Sequence, residues 1–139
     1  MSEDEWRAFL LSPVRPGTLA VTRKDGRPHL APVWYDVDDE SRIVFNTGAE
    51  TIKGRAIRRD GRAAFCVQDD RPPFSYAMLS GPTTWSGDVE DVRPWAARIG
   101  GRYMGPDRAE EYGARNGAPG ELVVWLTPTN VVAEADIAD

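Results

Sequence analysis

A single cysteine, Cys66, and a single histidine, His29, are all that a chain of 139 residues carries of either. One cysteine excludes an intrachain disulfide and a cysteine-cluster zinc site. One histidine excludes His-His metal motifs and argues against a Ser-His-Asp triad, so no metal site is expected. Lysine is almost as scarce, limited to Lys24 and Lys53, and arginine supplies every other cation. No apolar run approaches the ~20 residues of a membrane span. The start, Met1-Ser2-Glu3-Asp4-Glu5-Trp6, is acidic where a secretory signal is basic. A soluble, cytoplasmic protein with no membrane contact is the expectation. Basic surface is also lacking: the net charge is −5, which argues against nucleic acid or an anionic membrane as a general partner.

One stretch runs against that balance. From Asn46 to Arg62 the cations Lys53, Arg55, Arg58, Arg59 and Arg62 face only Glu50 and Asp60. A β-rich run, Arg42-Ile43-Val44-Phe45, breaks at Thr47-Gly48 and leads into a short helical segment that carries these cations. A strand, a glycine turn and the start of a basic helix together present backbone N–H groups and cationic heads to one spot, an arrangement suited to a phosphate. In an acidic protein of this size, that phosphate should belong to a small molecule. At helical spacing successive positions rotate by roughly 100°, so at most two of the arginines can face one ligand.

The rest of the chain reads as one domain, residues 1–139, mainly β with peripheral helices. Glu3 to Leu11 is a short helix. Thr18 to Thr22 alternates as a strand, Lys24-Asp25-Gly26 is a hairpin turn, and Arg27 to Val37 returns as a long second strand. Pro28 and Pro32 cannot donate to a ladder, so this strand should be bulged or lie at an edge. Arg42 to Asn46, Ala63 to Gln68, Ser75 to Trp85 (interrupted at Gly81-Pro82), Leu122 to Thr127 and Val131 to Ala135 are further strands. Val89 to Met104 and Pro106 to Asn116 are helical, with Trp95, Ile99 and Tyr103 as a buried stripe. Many short strands in hairpin sequence favour an antiparallel barrel over a doubly wound sheet.

Three ordered motifs carry a resemblance: Gly17 through Tyr35 with its Asp25-Gly26 turn, Asn46-Thr-Gly-Ala-Glu-Thr-Ile-Lys53, and Ala56-Ile-Arg-Arg-Asp-Gly-Arg62. Together with Arg102-Tyr-Met-Gly-Pro-Asp107 and Pro119-Gly-Glu-Leu122, they resemble the flavin-binding split-barrel group related to pyridoxamine 5′-phosphate oxidase. Within it, the chain is most similar to the branch that uses the deazaflavin cofactor F420. The resemblance implies a six-stranded antiparallel split β-barrel, forming a homodimer with cofactor sites at the subunit interface. It places Lys53 as the phosphate lysine and Asn46, Thr47 and Gly48 beside the ring and phosphate tail. Pro32, Val33 and Trp34 fall on the strand facing the tricyclic ring, and Thr51 lies near the phosphate. Arg59 is a further candidate for the anion, and Phe74 and Tyr76 fall where the second subunit would close the pocket.

Two departures bear on the ligand. Flavin mononucleotide (FMN) members of the group commonly have an arginine directly before the phosphate lysine, where this chain has Ile52. Nothing after Arg115 is basic, which removes the arginines that grip a vitamin B6 phosphate. The implied activity is therefore hydride transfer from F420 to a conjugated or heteroaromatic small molecule, with an FMN reductase or a non-catalytic cofactor-binding protein as alternatives. The lone cysteine and lone histidine fit a protein whose chemistry is the cofactor's. His29 reads as a structural residue, and Cys66, between Phe65 and Val67, as a buried hydrophobe.

Overall fold

The two edge strands of the sheet follow one another in sequence, and this sets the shape of the molecule. A computed structural model describes all 139 residues. Its strands are β1 (Gly17–Thr22), β2 (Pro28–Val33), β3 (Asp36–Val37), β4 (Ile43–Gly48), β5 (Arg62–Asp69), β6 (Ser75–Ser86), β7 (Glu121–Leu126) and β8 (Asn130–Glu134). The helices are α1 (Glu3–Leu11), α2 (Ile52–Asp60), α3 (Val89–Met104) and α4 (Ala109–Asn116), with a single 3-10 turn at Pro106–Arg108. All pairings are antiparallel, in the order β2-β1-β5-β6-β7-β4-β3, and β8 adds to β6.

The long second strand expected from Arg27 to Val37 is divided. Its first part, β2, pairs only with β1, and its second, β3, pairs only with β4 at the far edge. Trp34 and Tyr35 carry the chain across, so the sheet must curl until its edges meet at an unladdered seam. This is the split of the expected barrel, whose ladder contains eight segments once the divided strand is counted twice. Pro28 and Pro32 sit on the edge strand β2, where a missing N–H disturbs no interior ladder.

At Gly81-Pro82, where an interruption was expected, β6 instead runs through and changes partner. One side pairs with β8 over Tyr76–Ser80 and with β7 over Thr83–Ser86. A side chain at position 81 would overlap the Thr127 carbonyl, so glycine permits the exchange.

The barrel interior is filled by alternate residues: Leu19 and Val21 of β1, Phe65 and Val67 of β5, Ala77 and Leu79 of β6, Phe45 of β4 and Val124 of β7 are all buried. Period-2 alternation puts Cys66 on the opposite face from Phe65 and Val67. The cysteine is consequently only half-buried, which corrects the expectation of a buried hydrophobe. Helix α1, opened by a reciprocal Ser2–Glu5 capping box, buries Trp6 and Leu10 against the same core.

Helices α3 and α4 pack on each other through Gly100 against Tyr112 and Gly113 against Ala97, approaches that a larger residue would block. The stripe of α3 that is fully buried is Val92, Ala96 and Ile99. Trp95 and Tyr103 lie at its flank, half-buried, because Tyr103 turns toward the seam instead of the interior.

Candidate functional site

The turn between β4 and α2 is built around Thr51. Its hydroxyl donates to the Gly48 carbonyl at 2.7 Å and accepts the Gly54 N–H at 3.1 Å, capping the helix. With its proton so placed, the Thr51 oxygen accepts the Thr47 hydroxyl, 3.0 Å away. Gly54 is buried in the first turn, where any side chain would collide with the carbonyls of Gly48 and Ala49. The sequence Thr-Gly-x-x-Thr-x-x-Gly thus closes a compact elbow. It directs the N-terminal end of α2, whose first amides lack intrahelical acceptors, toward the seam.

A cleft of about 560 Å³ opens there, within the range of small-molecule sites. One wall is the end of β2 with Pro32, Val33 and Trp34. The opposite side is β4 and its elbow with Asn46, Thr47, Gly48, Thr51 and Lys53. These eight residues come from segments separated in sequence, and the seam brings them together. Trp34 is held flat against Tyr103, with ring centroids 5.0 Å apart and planes within 6°, and Tyr112 meets it edge-on. Asn46 donates its amide to the Leu122 carbonyl at 3.2 Å, which fixes the side chain at the cleft wall.

Four lining residues escaped the sequence reading: Pro16, Ile99, Asn116 and Glu121. Glu121 stands opposite Gly48 in the β4–β7 register. Burial pushes its carboxyl above the usual range, partly offset by the Lys53 ammonium. Lys53 and Glu121 are the only formally charged side chains lining the cleft.

The arginines of α2 lie elsewhere. Arg58 donates to the Ala49 carbonyl at 2.7 Å and lies 3.3 Å from Glu50, which also holds Arg55 at 3.4 Å. Arg59, a sequence candidate, is placed away from the cleft, donating to the Thr22 carbonyl at 2.6 Å and to Asp60. With Arg23, Lys24, Arg55 and Ile52 it borders a second, basic groove on the other side of the first turn of α2. Phe74 and Tyr76 are also outside the cleft of their own chain. They line a groove with Cys66 and Met78 on the outer face of the barrel. His29 lies at the hairpin end of β2, opposite Val21, with an Arg23 nitrogen 3.5 Å from Nδ1.

Comparison with known proteins places this geometry. Residues 2–133 match the sequence profile described as pyridoxamine 5′-phosphate oxidase. The chain belongs to that family. Among solved structures similar to this family member, a conserved hypothetical protein from Mycobacterium tuberculosis is 28% identical over 98% of this chain and 86% of its own, with a TM-score of 0.86. A structure described as an F420 reductase is 25% identical over 89% of this chain and 94% of its own, with a TM-score of 0.73. A heme-binding protein from Mycobacterium smegmatis, 16% identical over 99% of this chain and 60% of its own, shares the fold at a TM-score of 0.67. No curated protein matches the sequence. The split-barrel fold is therefore shared with structures described as an F420 reductase and a heme-binding protein. No helix is long and apolar enough to cross a membrane.

Proposed function

We propose that the seam cleft holds the deazaflavin F420 and that the protein is an F420-dependent reductase of a conjugated or heteroaromatic small molecule. The observation that carries this reading is the convergence of Lys53 and the α2 N-terminus with the Pro32-Val33-Trp34 edge on one cleft. An anionic tail fits beside the ammonium and the helix amides. A flat ring fits along the β2 edge, where Pro32 leaves a smooth backbone and the Trp34–Tyr103 stack fixes one wall.

The basic groove across the first turn of α2 adds a second support. Arg23, Lys24, Arg55 and Arg59 line it with Asp25 as the one acidic lining residue, Arg55 and Arg59 also pairing with Glu50 and Asp60 beside it. F420 carries a glutamyl tail rich in carboxylates, which FMN lacks, and a basic groove beside the phosphate end suits such a tail. The F420 reductase among the similar structures agrees with this choice.

Bound F420 supplies hydride transfer, so the chain's own work is to grip the tail, orient the ring and exclude water. Lys53 holds the charge of the tail, and the Thr47–Thr51 pair keeps the elbow rigid. Asn46, with its amide committed to Leu122, presents its carbonyl oxygen as an acceptor.

In this reading the protein acts as a homodimer. The outer face of β2, β1, β5, β6 and β8 presents Leu30, Cys66, Met78 and Val132, of which Leu30, Met78 and Val132 are exposed. An apolar face of that breadth suits a second copy. Phe74 and Tyr76 line a groove on the same face, and in this reading they close the partner's cleft.

The deciding experiment titrates purified protein with F420 and with FMN, then offers the reduced complex enones, quinones and nitroaromatics. Tight F420 binding with turnover supports the proposal. FMN binding alone would establish the flavin alternative, and binding without turnover a carrier. A heme reading has less support, because the lone histidine does not line the cleft.

A further inference from the structure

Resting on the cofactor reading above, we propose that Glu121 is a specificity residue that selects a singly charged phosphodiester tail over a doubly charged phosphomonoester. The cleft contains one ammonium and one carboxylate and no other formal charge among its lining side chains. Both hydroxyls of the elbow are already committed: Thr51 donates to Gly48 and Thr47 to Thr51. Nor can the neighbouring arginines swing in without loss, since Arg58 and Arg59 each hold a backbone carbonyl and Arg55 pairs with Glu50.

What remains for a phosphate is Lys53 and the first amides of α2, an electrostatic supply that matches about one negative charge. Glu121 enters from β7, across the ladder from Gly48, and its field falls on the same volume that Lys53 serves. A phosphomonoester such as FMN carries about −1.5 to −2 at neutral pH. Its second charge would meet Glu121 with no cation left to answer it. The F420 tail is a phosphodiester with a single charge at that phosphate. The residue preceding Lys53 does not provide this selection here, because Ile52 faces the basic groove and not the cleft.

The two cleft charges have different consequences for binding. Removing Lys53 weakens every anionic tail, whereas removing the Glu121 charge strengthens every tail and the more highly charged one most.

The test uses full-length protein and its Glu121→Gln variant, which keeps the shape of the side chain. Each is titrated at pH 7.5 with FMN, with the monomethyl phosphate ester of FMN, and with F420, following ligand fluorescence. FMN and its methyl ester share one ring and differ in one charge. Wild-type protein is expected to bind the ester about tenfold more tightly than FMN, the scale of one unfavourable charge pair in a partly exposed site. In Glu121→Gln all three ligands should bind more tightly, FMN gaining about twice the free energy that the ester and F420 gain, so that preference should fall to within about threefold. Equal affinity of the wild type for FMN and the ester would overturn the proposal and leave the cofactor reading intact, as would a preference that survives in Glu121→Gln. Failure of all three ligands to bind a folded wild type would overturn the cofactor reading and this proposal with it.

Discussion

The ring of Trp34 lies parallel to that of Tyr103, 5.0 Å between centroids, and the hydroxyl of the same tyrosine accepts the Tyr35 N–H at 3.2 Å and donates to the Arg15 carbonyl at 2.8 Å. One side chain of α3 thus fixes both residues that carry the chain across the seam. Arg102, its neighbour, donates to the carbonyls of Tyr35, Leu10 and Leu11 and lies over the Tyr35 ring. The cleft wall is therefore set by α3, not by a ladder, because at the seam there is no ladder to set it.

Removing only the hydroxyl tests this. In Tyr103→Phe the stack with Trp34 can persist, but the Tyr35 N–H loses its acceptor in a partly buried place, at a cost of about 1–3 kcal/mol. The urea midpoint should fall with the slope unchanged. An unaltered midpoint would show that the hydroxyl plays no part in holding the seam.

The same hydroxyl gives the protein an alkaline limit. Burial pushes Tyr103 up to about 12, against about 10 for an unfolded tyrosine. Above pH 10 the unfolded chain releases this proton while the folded one retains it, so folding stability is intact below pH 10 and declines as pH rises toward 12. Urea midpoints measured from pH 9 to 12 should fall across that window, and Tyr103→Phe should flatten part of the decline. A wild-type profile level to pH 12 would contradict the assignment.

Lys53 is the sole cation lining the cleft. Lys53→Ala should weaken F420 binding by about 1.5–3 kcal/mol, the scale of a charge-assisted hydrogen bond, with little change in the melting temperature of the ligand-free protein. Arg59→Ala, by contrast, should leave the phosphate contact untouched. If Arg59→Ala cost more affinity than Lys53→Ala, the tail would have to lie in the groove alone.

These two cations show how far the cleft can be read from one segment of sequence. The strand, the Thr-Gly turn and the helix of residues 43–60 are local features, so Asn46, Thr47, Gly48, Thr51 and Lys53 could all be read from one segment. Arg59 lies outside the cleft for reasons of helical phase: six residues at roughly 100° each place it about 120° around the helix from Lys53, at the basic groove. Glu121 was legible only as part of the Pro119–Leu122 motif and with no role, since its relation to Lys53 arises from a β4–β7 register spanning more than seventy positions. Asn116, Ile99 and Pro16 enter the cleft in the same way, through packing between distant segments. The break at Trp34-Tyr35 was hidden because both halves have strand composition. Only the two-edge pairing of β2 and β3 reveals that the chain changes sides.

The outer face offers a charge test of assembly. Met78 pairs with Cys66 on one side and Val132 on the other, at the middle of the exposed apolar surface. Met78→Asp places a charge that an apolar interface would have to desolvate, a cost that can reach several kcal/mol. Sedimentation velocity should show a dimer for wild type and a monomer for the variant, with F420 affinity reduced if Phe74 or Tyr76 of one subunit closes the cleft of the other. A wild type that sediments as a monomer at all concentrations would remove the dimer from the proposed function.

Gly54 offers the sharpest test of the elbow, because helix propensity and structure disagree in sign. In an ordinary helix interior, Gly→Ala stabilises by about 1 kcal/mol. Here the added carbon would enter the space of the Gly48 and Ala49 carbonyls, and both belong to the turn that sets Thr51 and Lys53 at the cleft. Backbone atoms in a closed turn cannot rotate away as a flexible side chain can. Relief therefore requires α2 to move outward, against the buried packing of Ala56 and Ile57. Gly54→Ala should destabilise by about 1–3 kcal/mol, as overpacking does. It should also weaken F420 binding more than the melting temperature alone would suggest, since the displaced first turn carries Lys53 with it. Gly61→Ala is a useful contrast: that residue ends α2 at φ 63° with no atom near a prospective Cβ, so its cost comes from backbone conformation and should spare the cleft. A stabilised Gly54→Ala protein with unchanged affinity would mean that the elbow is not the rigid element that positions the ammonium.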